Sequence, residues 1–400
     1  MSKTWQGYLR TDGRKGIRNT VAVVYLVECA RFVADEITRA FRDQDVHLIG
    51  FPGCFPNDYA QHMMERLCTH PNVGGVLLVS LGCESFNRGK LAEVIEASGR
   101  PVETLVIQKT GGSAATIRSG QAQVKKTLAG IANVPRVEMT TQDLVVGTIC
   151  GGSDGTSGIS GNPAAGRAFD QLVAEGAACI FEETGELIGC EHIMAERAIT
   201  PELGEALRET VAKAARYYDT LGYGSFAAGN ATGGLSTIEE KSLGAYVKSG
   251  DAPISGIIKP GDIPPSGGLY LMDVVPDGEV RYGFPNIADN AEIVEMIASG
   301  AHMTLFVTGR GSVVGSALAP VIKICANPDT YEALSEDMDI NAGAIISGTR
   351  DLDEVAEEIL TAIHDTASGH HTASEAMGHQ EFILTYKSFE PVGPACLPTK

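Results

Sequence analysis

Three cysteines carry the first chemical signal. Cys54, Cys83 and Cys150 each follow an apolar run and sit in or beside glycine, in FPGCFPN, LGCES and TICGGSD. If those runs are parallel strands, their carboxyl ends lie on one sheet edge, where residues distant in sequence can meet in one pocket. Three thiolates there could bind a soft or borderline metal or three corners of an iron–sulfur cluster, and Glu84 offers an oxygen ligand to a harder ion such as Fe(II). The competing reading is packing, because free cysteine is among the most buried residue types.

Anion chemistry comes next. The loop 150–161 holds five glycines together with Ser153, Asp154, Thr156, Ser157 and Ser160. Backbone N–H groups freed by Gly151 and Gly152, backed by the start of a following helix, can cradle a carboxylate, sulfonate or phosphate. The loop is neither GxGxxG nor a Walker sequence, so nucleotide binding is unsupported. In FEETGELIGCEHIMAERA, Glu182, Glu183, Glu186, Glu191 and His192 follow another apolar run, and burial beside other carboxylates would tune one of them to take a proton. Most of such a cluster is ordinarily a solvated face. Cations recur beside glycine: Arg14 and Arg18 in DGRKGIRN, Lys109 in QKTGGS, Lys241 in EEKSLG and Arg310 in TGRGSVVG. These are candidate anchors for an anionic substrate.

The elements that must position these residues alternate between strand and helix. Apolar β-branched runs at 21–26, 46–51, 76–80, 104–107, 144–149, 178–182, 269–275 and 303–307 are separated by helical patterns, as in parallel sheets covered by helices. The fold class is α/β, with Rossmann-like lobes and glycine-rich strand-end loops. Three units are expected: an N-terminal α/β lobe 1–142, a central lobe 143–268 carrying the glycine-rich loop, and a C-terminal lobe and tail 269–400. The Gly-, Pro- and Ser-rich stretch 230–268 reads as an active-site loop or a crossing between lobes. The tail after His364, with His370, His371 and His379, reads as partly ordered surface.

Composition narrows the partners. With 400 residues, 44% hydrophobic, 20% charged and a net charge of −19, the chain is a globular protein whose field opposes nucleic acid and anionic membrane surfaces. No signal-like run opens it, and its nine cysteines are scattered, which points to reduced thiols in a cytoplasmic protein.

Taken together, GYLRTDGRKGIRN, LGCE, CGGSDGTSGISGNPAAG, ETGELIGCEH, GNATGGLSTIEEKSLGA, TGRGSVVGSA and EDMDINAG resemble the altronate and galactarate dehydratase family, which includes the large subunits of sulfolactate sulfo-lyases. The resemblance covers most of the chain. It implies an iron-dependent lyase that removes the C2 proton of a small 2-hydroxy acid and expels a group from C3, the enol product becoming a 2-oxo acid. Hydroxide leaves a sugar acid; sulfite leaves (2R)-3-sulfolactate to give pyruvate, a step of organosulfonate catabolism.

Two departures favour the sulfo-lyase branch. This chain reads GFPGC where the sugar-acid enzymes look like HGSGC, and QKTGG where they tend to read QDTGG, so that Lys109 suits a more anionic substrate. The resemblance further implies a separate small subunit in place of an N-terminal domain, in a homo-oligomer of heteromers. Its implied roles are Cys54, Cys83, Glu84 and Cys150 around Fe(II), an iron–sulfur cluster or another divalent metal; Glu183 or His192 as proton acceptor; and Arg14, Asn19, Lys109, Gly151, Gly152, Ser153, Asp154, Lys241 and Arg310 around the substrate. Dehydration of altronate or galactarate is the alternative chemistry, and a non-catalytic anion-binding or metal-sensing protein the alternative class.

Overall fold

A computed structural model describes residues 3–222, 224–277, 288–384 and 387. The first part of the chain contributes strands β1 (Trp5–Leu9), β2 (Lys15–Gly16), β3 (Thr20–Tyr25), β4 (Val46–Gly50), β5 (Val73–Ser80), β6 (Val102–Val106) and β7 (Arg136–Met139). Four of them form a parallel sheet in the order β4-β3-β5-β6, and β2-β1-β7 form a small antiparallel sheet that the sequence reading did not anticipate. All six residues of TVAVVY in β3 are buried because helices cover both faces. Ala22 and Val24 pack with Met63, Met64 and Met296, while Val21 and Val23 face Ala30, Val33, Ile37 and Val124.

The remainder builds one seven-stranded parallel sheet from β8 (Val145–Cys150), β9 (Ala178–Phe181), β10 (Ile254–Ile258), β11 (Gly268–Met272), β12 (Met303–Thr308), β13 (Val321–Cys325) and β14 (Ile340–Asn341). Its order is β10-β11-β9-β8-β12-β13-β14. The expected boundary at 268/269 therefore cuts into β11, and residues 143–268 share a single sheet with 269–400. The physical reason is the β8–β12 ladder, in which Cys150 sits opposite Val307. The two parallel sheets are joined through a shared core in which Ile149, Ile180 and Phe306 of the larger meet Ala22, Val76 and Leu78 of the smaller, with Ile293 and Met296 among them.

The tail is better anchored than its composition suggests. Helix Leu352–Ala367 opens on a capping box between Asp351 and Glu354 and buries Val355, Ile359 and Ile363. Arg18 then clamps the segment that follows, donating to the Thr366 and His370 carbonyls at 2.9 Å each and to both Glu375 oxygens at 2.8 and 2.9 Å.

The strand order fixes where chemistry can occur. From β8 the chain forms β9 beside it, then the edge strand β10, fills the gap between them with β11, and returns on the opposite side of β8 as β12. The order thus reverses between β8 and β12, and a crevice opens beyond their carboxyl ends.

Candidate active site

Cys150 ends β8 at the bottom of that crevice, 1% exposed. Its thiol donates to Glu183 Oε2 at 3.2 Å and Glu186 Oε2 at 3.3 Å, and it accepts from Lys248 Nζ at 3.1 Å. Cys150, Glu183 and Glu186 present one sulfur and two carboxylate oxygens within 4.8 Å of one another, all buried.

Glu183 follows β9 with φ at 73°, the one non-glycine residue in the left-handed region among the described residues. That conformation costs about 1–2 kcal/mol. It is held because the Glu183 carboxylate accepts the Cys150 amide at 3.0 Å and pairs with the ammonium of Lys248, a fully buried lysine in the turn Val247–Ser249. Glu186 lies in the next turn, Thr184–Leu187, and pairs with Lys241. Helix Ile238–Tyr246 delivers Lys241, with Thr237 capping its first turn by accepting from the Glu240 amide.

Cys150, Glu183, Glu186 and Lys241 line a cavity of about 380 Å³, with Gly151, Gly152, Ser153, Tyr218, Asn230, Asp289, Glu292 and Arg310 completing its wall, while Lys248 stands behind Cys150 and Glu183. Arg310, just past β12, is fastened by its own amide to the Gly152 carbonyl at 3.0 Å and by its guanidinium to the Gly229 carbonyl. Asn230 donates to the Ser153 carbonyl at 3.0 Å. Glycine is required at 151, where a Cβ would run into the Asp289 carboxylate and the Phe306 ring.

Burial dominates the electrostatics. It pushes the Cys150 thiol up, against the opposing pull of Lys248. On helix Asp289–Ala298, Asp289 and Glu292 stand three residues apart and so face the same side. Burial, aided by Glu186, brings Asp289 up to about 6. Glu292 is pushed to about 8, by burial first, with Lys387 opposing and Glu295, Asp289 and Glu186 adding to it. Behind them Glu182 is fully buried, neither of its oxygens has a hydrogen-bond partner, and burial holds its carboxyl well above the usual range.

The donor set of Cys150, Glu183 and Glu186 fits a borderline divalent cation, because a thiolate and two carboxylates suit Fe(II) or a similar ion. Such an ion would compete with Lys248 and Lys241 for the same carboxylates.

The residues singled out from sequence divide into two groups. Cys150, Gly151, Gly152, Ser153, Glu183, Lys241 and Arg310 meet in the cavity. Asp154 lies just outside it and braces the loop, accepting from Thr156 N at 2.8 Å and Asn327 Nδ2 at 3.2 Å. The expected metal quartet is not brought together: Cys54, Cys83 and Glu84 follow strands of the four-stranded sheet and do not line the Cys150 cavity, where Cys150 groups with Glu183 and Glu186. His192 is exposed on helix Glu191–Glu196 and does not line the cavity.

Arg14 pairs with Asp12 and donates to the Thr69 carbonyl, Asn19 joins Arg10 to the Ile131 carbonyl, and Lys109 is exposed beyond β6. Sequence reasoning missed Lys248, Asp289, Glu292 and Asn230. For the acidic pair a signal existed, since in DNAEIVEMIA acids recur every three residues along an otherwise apolar helix buried throughout from Ala291 to Ala298.

Comparison with known proteins follows the same division. Residues 141–389 match the family described as D-galactarate/altronate dehydratase, C-terminal, and residues 7–132 match D-galactarate dehydratase/altronate hydrolase, second domain. The chain is 32% identical to (2R)-sulfolactate sulfo-lyase subunit beta of Chromohalobacter salexigens, over 96% of this chain and 97% of that protein. It is 28% identical to altronate dehydratase of Bacillus subtilis, over 96% of this chain and 78% of that protein. It is 29% identical to galactarate dehydratase (L-threo-forming) of Escherichia coli, over 92% and 73%. The chain belongs to the D-galactarate/altronate dehydratase family.

Proposed function

We propose that this chain is the catalytic, large-subunit component of a lyase that eliminates sulfite from (2R)-3-sulfolactate to give pyruvate. The observation that carries the reading is the crevice at the β8/β12 reversal, where a metal-capable Cys150–Glu183–Glu186 group, Lys241 and Arg310 share one cavity with two carboxyls, Asp289 and Glu292, that burial raises to different extents. Cys150, Glu183 and Glu186 would hold Fe(II), which when bound supplies the Lewis acidity that an ene-diolate requires.

Lys241 and Arg310 attract and orient the anionic substrate. Asp289, brought to about 6, is ionised at neutral pH and basic enough to accept the C2 proton, taking the role expected of Glu183 or His192. Two titratable groups pushed apart on one helix face are the pattern of a base and an acid working in one site. The relative from Chromohalobacter is named a subunit, which supports a small-subunit partner for this chain in a cytoplasmic heteromer.

A second reading rests on Glu292. Raised to about 8, it keeps its proton at neutral pH. Sulfite leaves without a proton, whereas hydroxide needs one, so this acid favours dehydration of a sugar acid. The deciding experiment is an anaerobic assay with Fe(II), with and without the candidate small subunit, following sulfite and pyruvate from (2R)-3-sulfolactate beside 2-oxo acid from altronate and galactarate. Equal sulfite and pyruvate supports the first reading. Oxo acid from a sugar acid alone, lost in Glu292→Gln, replaces it with the second.

A further inference from the structure

Two cations of the Cys150 cavity are already engaged, and by one short piece of backbone. Lys241 pairs with Glu186 and also donates to the Ser225 carbonyl. Arg310 donates to the Gly229 carbonyl and, among the described residues, forms no ion pair. Ser225, Ala227 and Gly229 themselves line the cavity. The segment 224–229 therefore lies across the site, with two of its carbonyls on the very groups that would receive an anionic ligand.

Little else holds that segment. Gly224, Ala227 and Ala228 are exposed, Ser225, Phe226 and Gly229 are half-buried, and the first buried residue is Asn230. Asn230 is the fixed end: its Nδ2 donates to the Ser153 carbonyl at 3.0 Å, its Oδ1 accepts from the Ala227 amide at 2.7 Å, and its carbonyl accepts from the Leu235 amide at 3.1 Å. Just beyond, the Gly155 amide donates to the Gly233 carbonyl at 2.9 Å. At the other end the Ser225 side chain hydrogen-bonds the Tyr218 hydroxyl. Backbone with so few apolar contacts has low local stability, so the two carbonyl latches govern its order between these ties. An ammonium or guanidinium binds a carboxylate or sulfonate more strongly than a neutral carbonyl, because both partners then carry charge.

We propose that the segment 224–229 is a strap that selects doubly charged substrates. One anionic group takes Arg310 from the Gly229 carbonyl, the other takes Lys241 from the Ser225 carbonyl, and both latches open only for a dianion. Lys241 keeps Glu186 throughout, since an ammonium has three donors. A monoanion displaces one carbonyl and leaves the other latch to hold the strap. The inference rests on the reading of Lys241 and Arg310 as the substrate's anchors, and it names the substrate class. (2R)-3-Sulfolactate, with a carboxylate and a sulfonate, meets the requirement, as does galactarate with two carboxylates; altronate, with one, does not. Freed of its latches, the strap loosens between Tyr218 and Asn230 and stays tethered at both.

The test is amide hydrogen exchange of the full chain, wild type and Arg310→Met, at constant ionic strength, without ligand and with malonate, sulfoacetate, acetate or methanesulfonate. Arg310 is exposed, so its replacement leaves the core intact. In the wild type, amides 226–229 should exchange at least about tenfold faster with either dianion, saturably, and stay unmoved by either monoanion. In Arg310→Met only the Lys241 latch remains, so acetate alone should now free the segment. Acceleration by monoanions in the wild type, no acceleration by dianions, or a dianion requirement that persists in Arg310→Met overturns the proposal. None of the probes carries a 2-hydroxyl, so the exchange result stands apart from the product assay. Sulfite released from sulfolactate beside an unmoved strap refutes the strap alone; dianion-dependent loosening in a chain that releases no sulfite upholds the strap and ends the sulfo-lyase reading.

Discussion

Replacing Glu292 with glutamine should remove a pH dependence of stability whose size follows from its surroundings. The carboxyl titrates at about 8 in the folded protein, against 4.5 for the free side chain. Below pH 4.5 the group is protonated in both states and adds no slope. Between the two values the folded protein retains a proton that the unfolded chain releases, so stability falls by about 1.4 kcal/mol for each pH unit. The whole interval therefore costs about 5 kcal/mol, complete once the pH passes the folded value. Glutamine preserves the shape and cannot ionise. Urea unfolding of the wild type and Glu292→Gln, in the presence of a chelator, should give curves whose separation widens by about 4 kcal/mol from pH 5 to pH 8, the variant being the more stable at the alkaline end. Parallel curves would refute the argument, showing that Lys387 and its neighbours already neutralise an ionised Glu292.

Lys248→Met should cost about 3–5 kcal/mol by leaving the Glu183 carboxylate buried without its cation. The double change with Glu183→Gln should recover much of that loss; strictly additive effects would rule out the coupling. Asp289→Asn should lower kcat by about 10²–10⁴-fold with little change in KM, while His192→Asn leaves both unaltered. A collapse of turnover in His192→Asn would return the proton-acceptor role to that residue.

Much of the scaffold was legible because strands buried on both faces announce themselves as continuous β-branched runs, as in TVAVVY and in VGGVLLVS of β5. The glycine turn after Cys150 was legible for the same local reason, as were Lys241 and Arg310. What a linear reading could not supply is adjacency. Cys54, Cys83 and Cys150 look equivalent because each ends a parallel strand, yet strand order assigns the first two to one sheet and the third to another.

His192 shares an acidic stretch with Glu183, but the turn through Gly189, at φ 94°, leads into a short helix that leaves it exposed. Lys248 sits in AYVKSG, a segment with no outward sign that its ammonium is sealed against a sulfur and a carboxylate. Arg18 looked like an anchor for substrate and instead anchors the tail.

The β8–β12 ladder also bears on how the molecule is made. Residues 146–150 pair with residues 303–307 of a 400-residue chain, so the central strand of the larger sheet must wait until about three-quarters of the chain has been made for its second neighbour. Until Met303–Thr308 leaves the ribosome, β8 presents an unpaired edge, and neither Arg310 nor the opposite wall of the crevice yet exists. Chains interrupted anywhere in that interval would expose an apolar template to one another. The nascent protein thus passes through a long, aggregation-prone adolescence before it can bind anything, and chaperone demand should concentrate there.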